Sequence, residues 1–251
     1  APDIAYHYDK VQRGFDMLID VFGADHGGYV KRMKAAVSAL SAAQTGFDVK
    51  LTQLVKLYKD GAPFKMSKRA GTFVTLRDVI DQVGADVTRF VMLTRKNDAP
   101  LDFDFDKVLE QSRENPVFYV QYAHARAYSI KRHTQEQLPD LDLSLDALST
   151  VDFSDLESED FLALVKKLSE WQRVIEMAAR TYEPHRIPYY LGELAAEFHG
   201  LWNKGKDNMQ LRFIDAENKE LTQKHFALVQ AVATVIQSGL KLLGVQAPEK
   251  M

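Results

Sequence analysis

The sequence predicts a mainly α-helical protein in which a short α/β segment precedes a helical bundle. Residues 15–22 and 49–58 form apolar runs typical of strands, and a glycine turn between them leads into a helical pattern at residues 29–43. Strand, turn, helix and strand make up the βαβ unit of a parallel sheet. After residue 106, amphipathic helical patterns joined by short connections predict the bundle.

The remaining elements follow from spacing and from helix-ending residues. Residues 3–14 predict a helix capped by Asp3, and Gly84 separates two helices at 76–83 and 85–94. We interpret residues 101–106, where Asp and Phe alternate, as a linker with inward-facing phenylalanines. In the bundle we predict a helix at 106–132 that is kinked or divided by Pro116, an exposed acidic connection at 134–155, and helices at 158–182, 185–206 and 217–243.

Composition is typical of an intracellular globular protein with two domains. The 251 residues are 46% hydrophobic and 27% charged, which suffices to bury a core. The sequence contains no run of 18 apolar residues, so no membrane span is predicted. The absence of cysteine excludes a disulfide framework and a thiolate zinc site. We therefore expect a cytoplasmic protein without a membrane partner or a resident metal, and a monomer because no helix sustains a heptad repeat.

Charge is unevenly distributed along the chain. The formal net charge is −3, yet nine acidic residues and no Lys or Arg fall between residues 134 and 165. The rest of the chain is therefore mildly basic, which is compatible with a nucleic-acid partner and equally with a neutral enzyme.

The densest group of chemically active residues lies at 65–71. Lys65, Lys68 and Arg69 supply three cations, Ser67 supplies a hydroxyl donor, and Gly71 permits a close turn of the backbone. This combination suits a polyphosphate, and a solvated basic turn is the alternative.

A second candidate site is the glycine turn after the first strand. In a parallel sheet, ligands bind at the carboxyl ends of the strands, where Gly23, Asp25 and His26 are expected. Glycine would allow close backbone approach, and Asp25 could accept a hydrogen bond from a ribose hydroxyl. A turn without a ligand is the alternative.

A third candidate is a surface of aromatic and cationic side chains in the bundle. Tyr119, Tyr122 and Arg126 share one helical face, and Phe198 and Trp202 lie one turn apart. Tyr and Arg on one face can stack on unpaired bases, whereas a packed aromatic stripe is the alternative. For Trp202, nucleic-acid contact and core packing stay equally open.

Two strings point to a family. Lys-Met-Ser-Lys at 65–68 resembles the signature loop of class I aminoacyl-tRNA synthetases, and the longer string 65–76 together with 115–126 resembles arginyl-tRNA synthetase. The resemblance implies that residues 1–100 are the C-terminal half of a Rossmann-like α/β nucleotide-binding domain. Residues 101–251 would be an all-α helical-bundle anticodon-binding domain.

The resemblance also implies an activity and roles for individual residues. The enzyme would activate arginine with ATP, accompanied by Mg²⁺, and transfer it to tRNA-Arg. Lys65, Ser67 and Lys68 would stabilise the moving phosphate charge. The implied ligand contacts are Gly23, Asp25, His26, Lys65, Met66 and Lys68 with ATP, Asp3 and His26 with arginine, and Tyr119, Tyr122, Arg126, Phe198, Trp202 and Met251 with tRNA.

Some features depart from the family pattern. Gly27 stands where the family string has a second histidine, and the chain has no His-Ile-Gly-His-like motif. We therefore expect a C-terminal fragment that is inactive alone. A cysteinyl-tRNA synthetase and a non-catalytic, synthetase-derived tRNA-binding module are the alternatives.

Overall fold

The computed structural model describes residues 1–64, 74–112 and 114–251, so the predictions for Lys65, Met66, Ser67 and Lys68 lie outside the described residues. Two compact units are present. The first contains residues 1–64 and 95–103, and the second contains the described residues of 74–94 and 104–251. Along the chain the predicted boundary was residue 100, whereas packing groups the helices at 76–93 with the bundle.

The first unit contains the predicted βαβ arrangement. Helix α1 (Pro2–Gln12) precedes strand β1 (Met17–Gly23), a 3₁₀ turn (Ala24–Tyr29), helix α2 (Val30–Leu40) and strand β2 (Gly46–Thr52). Strands β1 and β2 are parallel along their full length. In β1 only one face is buried, with Leu18 and Asp20 inside and Ile19 and Val21 exposed.

Two sequence interpretations of the first unit need correction. The predicted strand at 49–58 is two strands in different sheets, because β2 ends at Thr52 and strand β3 (Val55–Lys59) begins after a break. Strand β3 lies between β4 (Ala62–Pro63) and β5 (Leu101–Asp104). The predicted linker at 101–106 therefore begins as a strand, although its phenylalanines, Phe103 and Phe105, are buried as predicted.

The second unit is helical. Its helices are α3 (Leu76–Val83), α4 (Ala85–Leu93), α5 (Pro116–Gln137), α6 (Leu145–Ser149), α7 (Glu159–Ser169), α8 (Trp171–Thr181), α9 (Arg186–Asp207) and α10 (Lys219–Leu243), with 3₁₀ turns at Lys107–Leu109 and Met209–Leu211. Helix α10 ends at Gly244, whose φ of 67° is the left-handed conformation that glycine adopts without strain.

Helix α5 starts where the sequence predicted a kink. Pro116 is its first residue, a position at which the missing N–H costs nothing. Asn115 caps the helix, because its Oδ1 accepts hydrogen bonds from the backbone N–H groups of Val117 and Phe118 at 3.1 and 3.3 Å. Helix α5 is therefore undivided over 22 residues.

The acidic segment after α5 is more ordered than predicted. Helix α5 itself extends to Gln137, and α6 is capped by Ser144. Leu138, Leu143 and Leu148 are buried, which anchors a segment that we expected to be an exposed connection. The predicted helical stretch 158–182 consists of two helices, α7 and α8.

The core of the second unit lies among α5, α9 and α10. Fully buried members include Val120, Ile130, Leu194 and Ile236. Among the described residues, α10 has the length and mean hydropathy, 1.5, of a membrane span. This is weak evidence, since half of that window is buried inside the protein and the core helix of a bundle has the same composition.

Candidate functional site

A cleft of about 480 Å³ lies on the second unit beside α5 and α9. We call it the aromatic–cationic cleft, and its lining residues are Tyr122, Ala125, Arg126, Ser129, Ile130, Arg132, His133, Trp202, Lys250 and Met251. Four of the six side chains predicted to contact tRNA therefore line one cleft: Tyr122, Arg126, Trp202 and Met251. Ser129 and Met251, more than 120 residues apart in sequence, meet there only in the folded bundle.

Arg126 is held by three aromatic neighbours. Its Nη2 donates to the Tyr122 hydroxyl at 2.9 Å, and its Nη1 lies 2.6 Å from His199 Nδ1. The guanidinium carbon lies 4.6 Å from the centre of the Tyr122 ring and 5.6 Å from that of Trp202, within the range of cation–π attraction. A planar cation among aromatic faces suits a flat, electron-rich ligand.

The aromatic rings are themselves stacked against neighbours. Tyr122 lies parallel to Phe118, with ring centres 5.8 Å apart, and Trp202 lies parallel to Phe213 at 6.2 Å. Tyr119 packs on His199 at 4.7 Å and is not among the lining residues. Its prediction as a tRNA contact is therefore the weakest of the three residues on that helical face.

Phe198 does not lie on this surface. Its side chain is fully buried and packs against Phe213 at 5.5 Å. Although Phe198 and Trp202 lie one helical turn apart, Phe198 is enclosed in the core and Trp202 borders the cleft. The predicted tRNA contact of Phe198 does not agree with this position, because a base could reach the ring only by opening the core.

The chain end is fastened along α5. Gln121 Nε2 donates to the carbonyl of Gln246 at 2.9 Å, His124 Nδ1 donates to that of Pro248 at 2.8 Å, and Arg132 Nη1 donates to that of Glu249 at 3.2 Å. Burial lowers the pKa of His124, which fits a neutral ring that donates from Nδ1. These three bonds bring Met251 to the cleft.

The cleft also contains residues that the sequence reasoning missed. Arg132 and Lys250 add positive charge, His133 adds an imidazole ring, and no Asp or Glu occurs among its described lining residues. Ser129 and His133 continue the spacing of three and four residues that begins at Tyr122. That periodicity could have identified them, whereas Lys250 depends on the path of the chain end.

The first unit has a pocket that contains both predicted arginine ligands. It measures about 480 Å³, and Asp3, His26 and Tyr29 are among its lining residues. The Tyr29 hydroxyl donates to Asp3 Oδ2 at 2.9 Å, and this bond, together with the nearby carboxylate, raises the pKa of Tyr29. The Asp3 carboxylate retains acceptor capacity for a guanidinium.

Behind Asp3 lies a buried cluster that the sequence did not indicate. His7 Nδ1 donates to the Asp3 backbone carbonyl at 2.7 Å, and His7 Nε2 lies 2.7 Å from Asp20 Oδ2. Lys10 donates to the other oxygen of Asp20 at 3.0 Å. Because Asp20 belongs to β1 and the others to α1, the cluster fixes the helix that carries Asp3.

The glycine turn forms a 3₁₀ turn instead of an open loop. A Cβ at Gly23 would lie 2.7 Å from Asp25 Oδ1, so glycine allows the Asp25 side chain to fold back. Asp25 and His26 are both exposed, with Oδ2 and Nε2 3.8 Å apart. His26 lines the pocket of the first unit, whereas Asp25 is not among its lining residues.

A helical bundle whose surface cleft combines stacked aromatic rings with cations is typical of helical domains that bind nucleic acid. Residues 120–251 match the DALR anticodon binding domain. The chain belongs to the DALR anticodon-binding domain family.

Comparison with individual proteins covers the remainder of the chain. Over its whole length the chain is 67% identical to an arginine–tRNA ligase of Ruegeria pomeroyi and 58% identical to one of Rhodospirillum rubrum. It spans 43% of the length of each relative. The resemblance to arginyl-tRNA synthetases that the motifs indicated is therefore confirmed.

Solved structures agree with the fold. A Campylobacter jejuni structure assigned to the arginyl-tRNA synthetases is 33% identical, with a TM-score of 0.82 over 99% of this chain and 51% of that one. The arginyl-tRNA synthetase of Thermus thermophilus is 22% identical, with a TM-score of 0.73 over 94% of this chain and 41% of that one. At that identity the second likeness shows the fold alone. The predicted fold class is confirmed.

Proposed function

We propose that the chain provides the anticodon-loop binding surface of an arginine–tRNA ligase. The main support for this proposal is that Tyr122, Arg126, Trp202 and Met251 line one cleft, the aromatic–cationic cleft, of an anticodon-binding-family domain. Unpaired anticodon bases could stack on the rings, at about 1–3 kcal/mol per base. Arg132 and Lys250 would meet the phosphates.

The experiment is binding of this chain to tRNA-Arg and to the same tRNA with another anticodon, at about 50 and about 200 mM salt. We expect a preference for tRNA-Arg, and a loss of about tenfold, or 1.4 kcal/mol, for Arg126→Met. Arg180→Met is the matched control, because Arg180 is an exposed arginine of α8 that pairs with Glu176 one turn away. Equal binding of both tRNAs, unaffected by Arg126→Met, would contradict the proposal.

The full-length protein would activate arginine with ATP and Mg²⁺ and transfer it to tRNA-Arg in the cytoplasm, as a monomer. In this proposal Lys65, Ser67 and Lys68 stabilise the phosphate charge, and Gly23, Asp25, His26 and Met66 contribute to the ATP site. Exchange of pyrophosphate into ATP, measured with the full-length protein and tRNA-Arg, tests it. Stimulation by cysteine instead of arginine would favour the cysteinyl alternative, and no exchange with either would favour a non-catalytic module.

Within this enzyme we propose that Asp3 binds the guanidinium of arginine. The support is its carboxylate in the first unit's pocket, oriented by Tyr29 and backed by the His7 cluster. Asp3→Asn in the full-length protein should raise the KM for arginine at least tenfold, because a neutral amide cannot form the charged bidentate pair. Asp9→Asn on the same helix is the control, since Asp9 is exposed and pairs with Arg13. Equal effects of the two changes would refute the assignment.

A further inference from the structure

His199 is buried beside Arg126 and is not itself a lining residue of the cleft. It is 5% exposed, and its Nδ1 lies 2.6 Å from Arg126 Nη1. A guanidinium can only donate hydrogen bonds, so Nδ1 must carry a lone pair. The proton of the neutral ring is then on Nε2, which donates to the carbonyl of Tyr119 at 3.3 Å.

Protonation would reverse this arrangement. An imidazolium would direct an N–H from Nδ1 towards the N–H of Arg126, so the contact needs the neutral ring. Burial and the charge of Arg126 together lower the pKa of His199 to about 4. At neutral pH, His199 is therefore a permanent acceptor for the guanidinium.

With His199, the inner edge of Arg126 is completely fixed. One terminal nitrogen donates to His199 and the other to Tyr122, so the guanidinium cannot rotate about its long side chain without losing a bond. Arg126 is a lining residue of the cleft, and these bonds use two of the five N–H donors of its guanidinium. Fixing a flexible cation before binding reduces the entropy that the complex must lose.

We infer that His199 is a positioning residue for anticodon binding, which acts by accepting a hydrogen bond from Arg126 and so orients its guanidinium towards the tRNA base. The inference rests on the proposed function of the cleft. It adds a residue whose contribution to recognition is made without touching the RNA.

Two substitutions separate this role from plain core packing. His199→Leu has a similar volume but no acceptor, whereas His199→Asn retains an oxygen at the place of Nδ1. Both lose the ring stacking and the bond to Tyr119, so the unfolding midpoint should fall for each of them. Affinity for tRNA-Arg should fall about tenfold for His199→Leu, the low end for a hydrogen bond to a charged group, and less than threefold for His199→Asn.

A double-mutant cycle tests whether the effect passes through Arg126. In an Arg126→Met background, His199→Leu should change tRNA affinity by less than twofold. Equal weakening by Leu and Asn, or an undiminished Leu effect in the Met background, would overturn the inference. If Arg126→Met weakens binding but His199→Leu does not, positioning fails while the proposed function stands.

One measurement needs no tRNA. The ¹⁵N chemical shifts of the His199 ring at neutral pH should show an unprotonated Nδ1 and a protonated Nε2, and the Arg126→Met substitution should relax this preference. A protonated Nδ1 in the native protein would overturn the inference, whether or not the protein binds tRNA. Absence of tRNA binding would instead contradict the proposed function.

Discussion

Asn115→Ala should destabilise the second unit by about 3 kcal/mol. Its Oδ1 caps α5, and loss of a cap costs about 1 kcal/mol. Its Nδ2 also donates to the carbonyls of Val108 at 2.9 Å and Glu110 at 2.8 Å, and each lost bond costs about 1 kcal/mol. Asn115 itself is buried, so water cannot readily replace these partners.

Asn218→Ala is the matched comparison. Asn218 caps α10 through a single bond from the Leu221 N–H at 3.0 Å, and it is exposed. This substitution should therefore cost about 1 kcal/mol. The difference of about 2 kcal/mol between the two variants isolates the two bonds from Asn115 Nδ2 to the preceding turn.

Urea unfolding followed by tryptophan fluorescence measures both losses. The two tryptophans, Trp171 and Trp202, belong to the second unit, so the signal reports that unit alone. An Asn115→Ala loss equal to that of Asn218→Ala within about 0.5 kcal/mol, the usual additivity error, would refute the reasoning. The turn at 107–110 would then contribute nothing to anchoring α5.

Three further predictions concern other parts of the chain. Gly200→Ala should stabilise α9 by about 1 kcal/mol in urea unfolding. Gly205→Ala should be about 1–3 kcal/mol less stable than Gly200→Ala, because a Cβ at residue 205 would lie 2.9 Å from the Leu211 carbonyl oxygen. The pKa of His199 is about 4 in the folded state and about 6.5 in the unfolded state. Neutral His199 therefore contributes to the free energy of unfolding above about pH 6.5, and this contribution is lost as the pH falls from about 6.5 towards about 4. The free energy of unfolding at about pH 5.5 should be about 1.4 kcal/mol lower than at neutral pH because of His199, and this pH-dependent loss should be missing in His199→Asn. Asp20→Asn leaves the buried His7 and the partly buried Lys10 without their carboxylate. Hydrogen exchange of β1 amides should therefore accelerate about a hundredfold, while α5 exchange is unchanged.

Local signals predicted most of the elements. The βαβ unit, the helices on either side of Gly84 and the end of α10 at Gly244 follow from periodicity and from helix-ending residues. The start of α5 was also present in the sequence, since Asn before Pro is a cap followed by a favoured first residue. We instead gave Pro116 the effect that it has in the interior of a helix.

Contacts between distant segments could not be predicted in this way. Phe198 and Trp202 have the same local pattern and both pack on Phe213, yet in the folded bundle Phe198 is fully buried and Trp202 borders the cleft. In the same way, Asp20 interrupts an apolar strand because its carboxylate pairs with a histidine and a lysine on α1. Periodicity indicates which face a residue shares, and the partner on that face depends on the fold.

The stability and the recognition variants should separate cleanly. A domain of ordinary stability, about 5–15 kcal/mol, remains at least about 95% folded after losing 3 kcal/mol. Asn115→Ala should therefore unfold earlier in urea yet bind tRNA-Arg with nearly native affinity. Arg126→Met changes a half-buried side chain at the cleft, so it should weaken tRNA binding and leave the urea midpoint nearly native. If Asn115→Ala also weakened binding at full folding, the cleft would depend on the exact position of α5, and the bonds of Asn115 would belong to the recognition site.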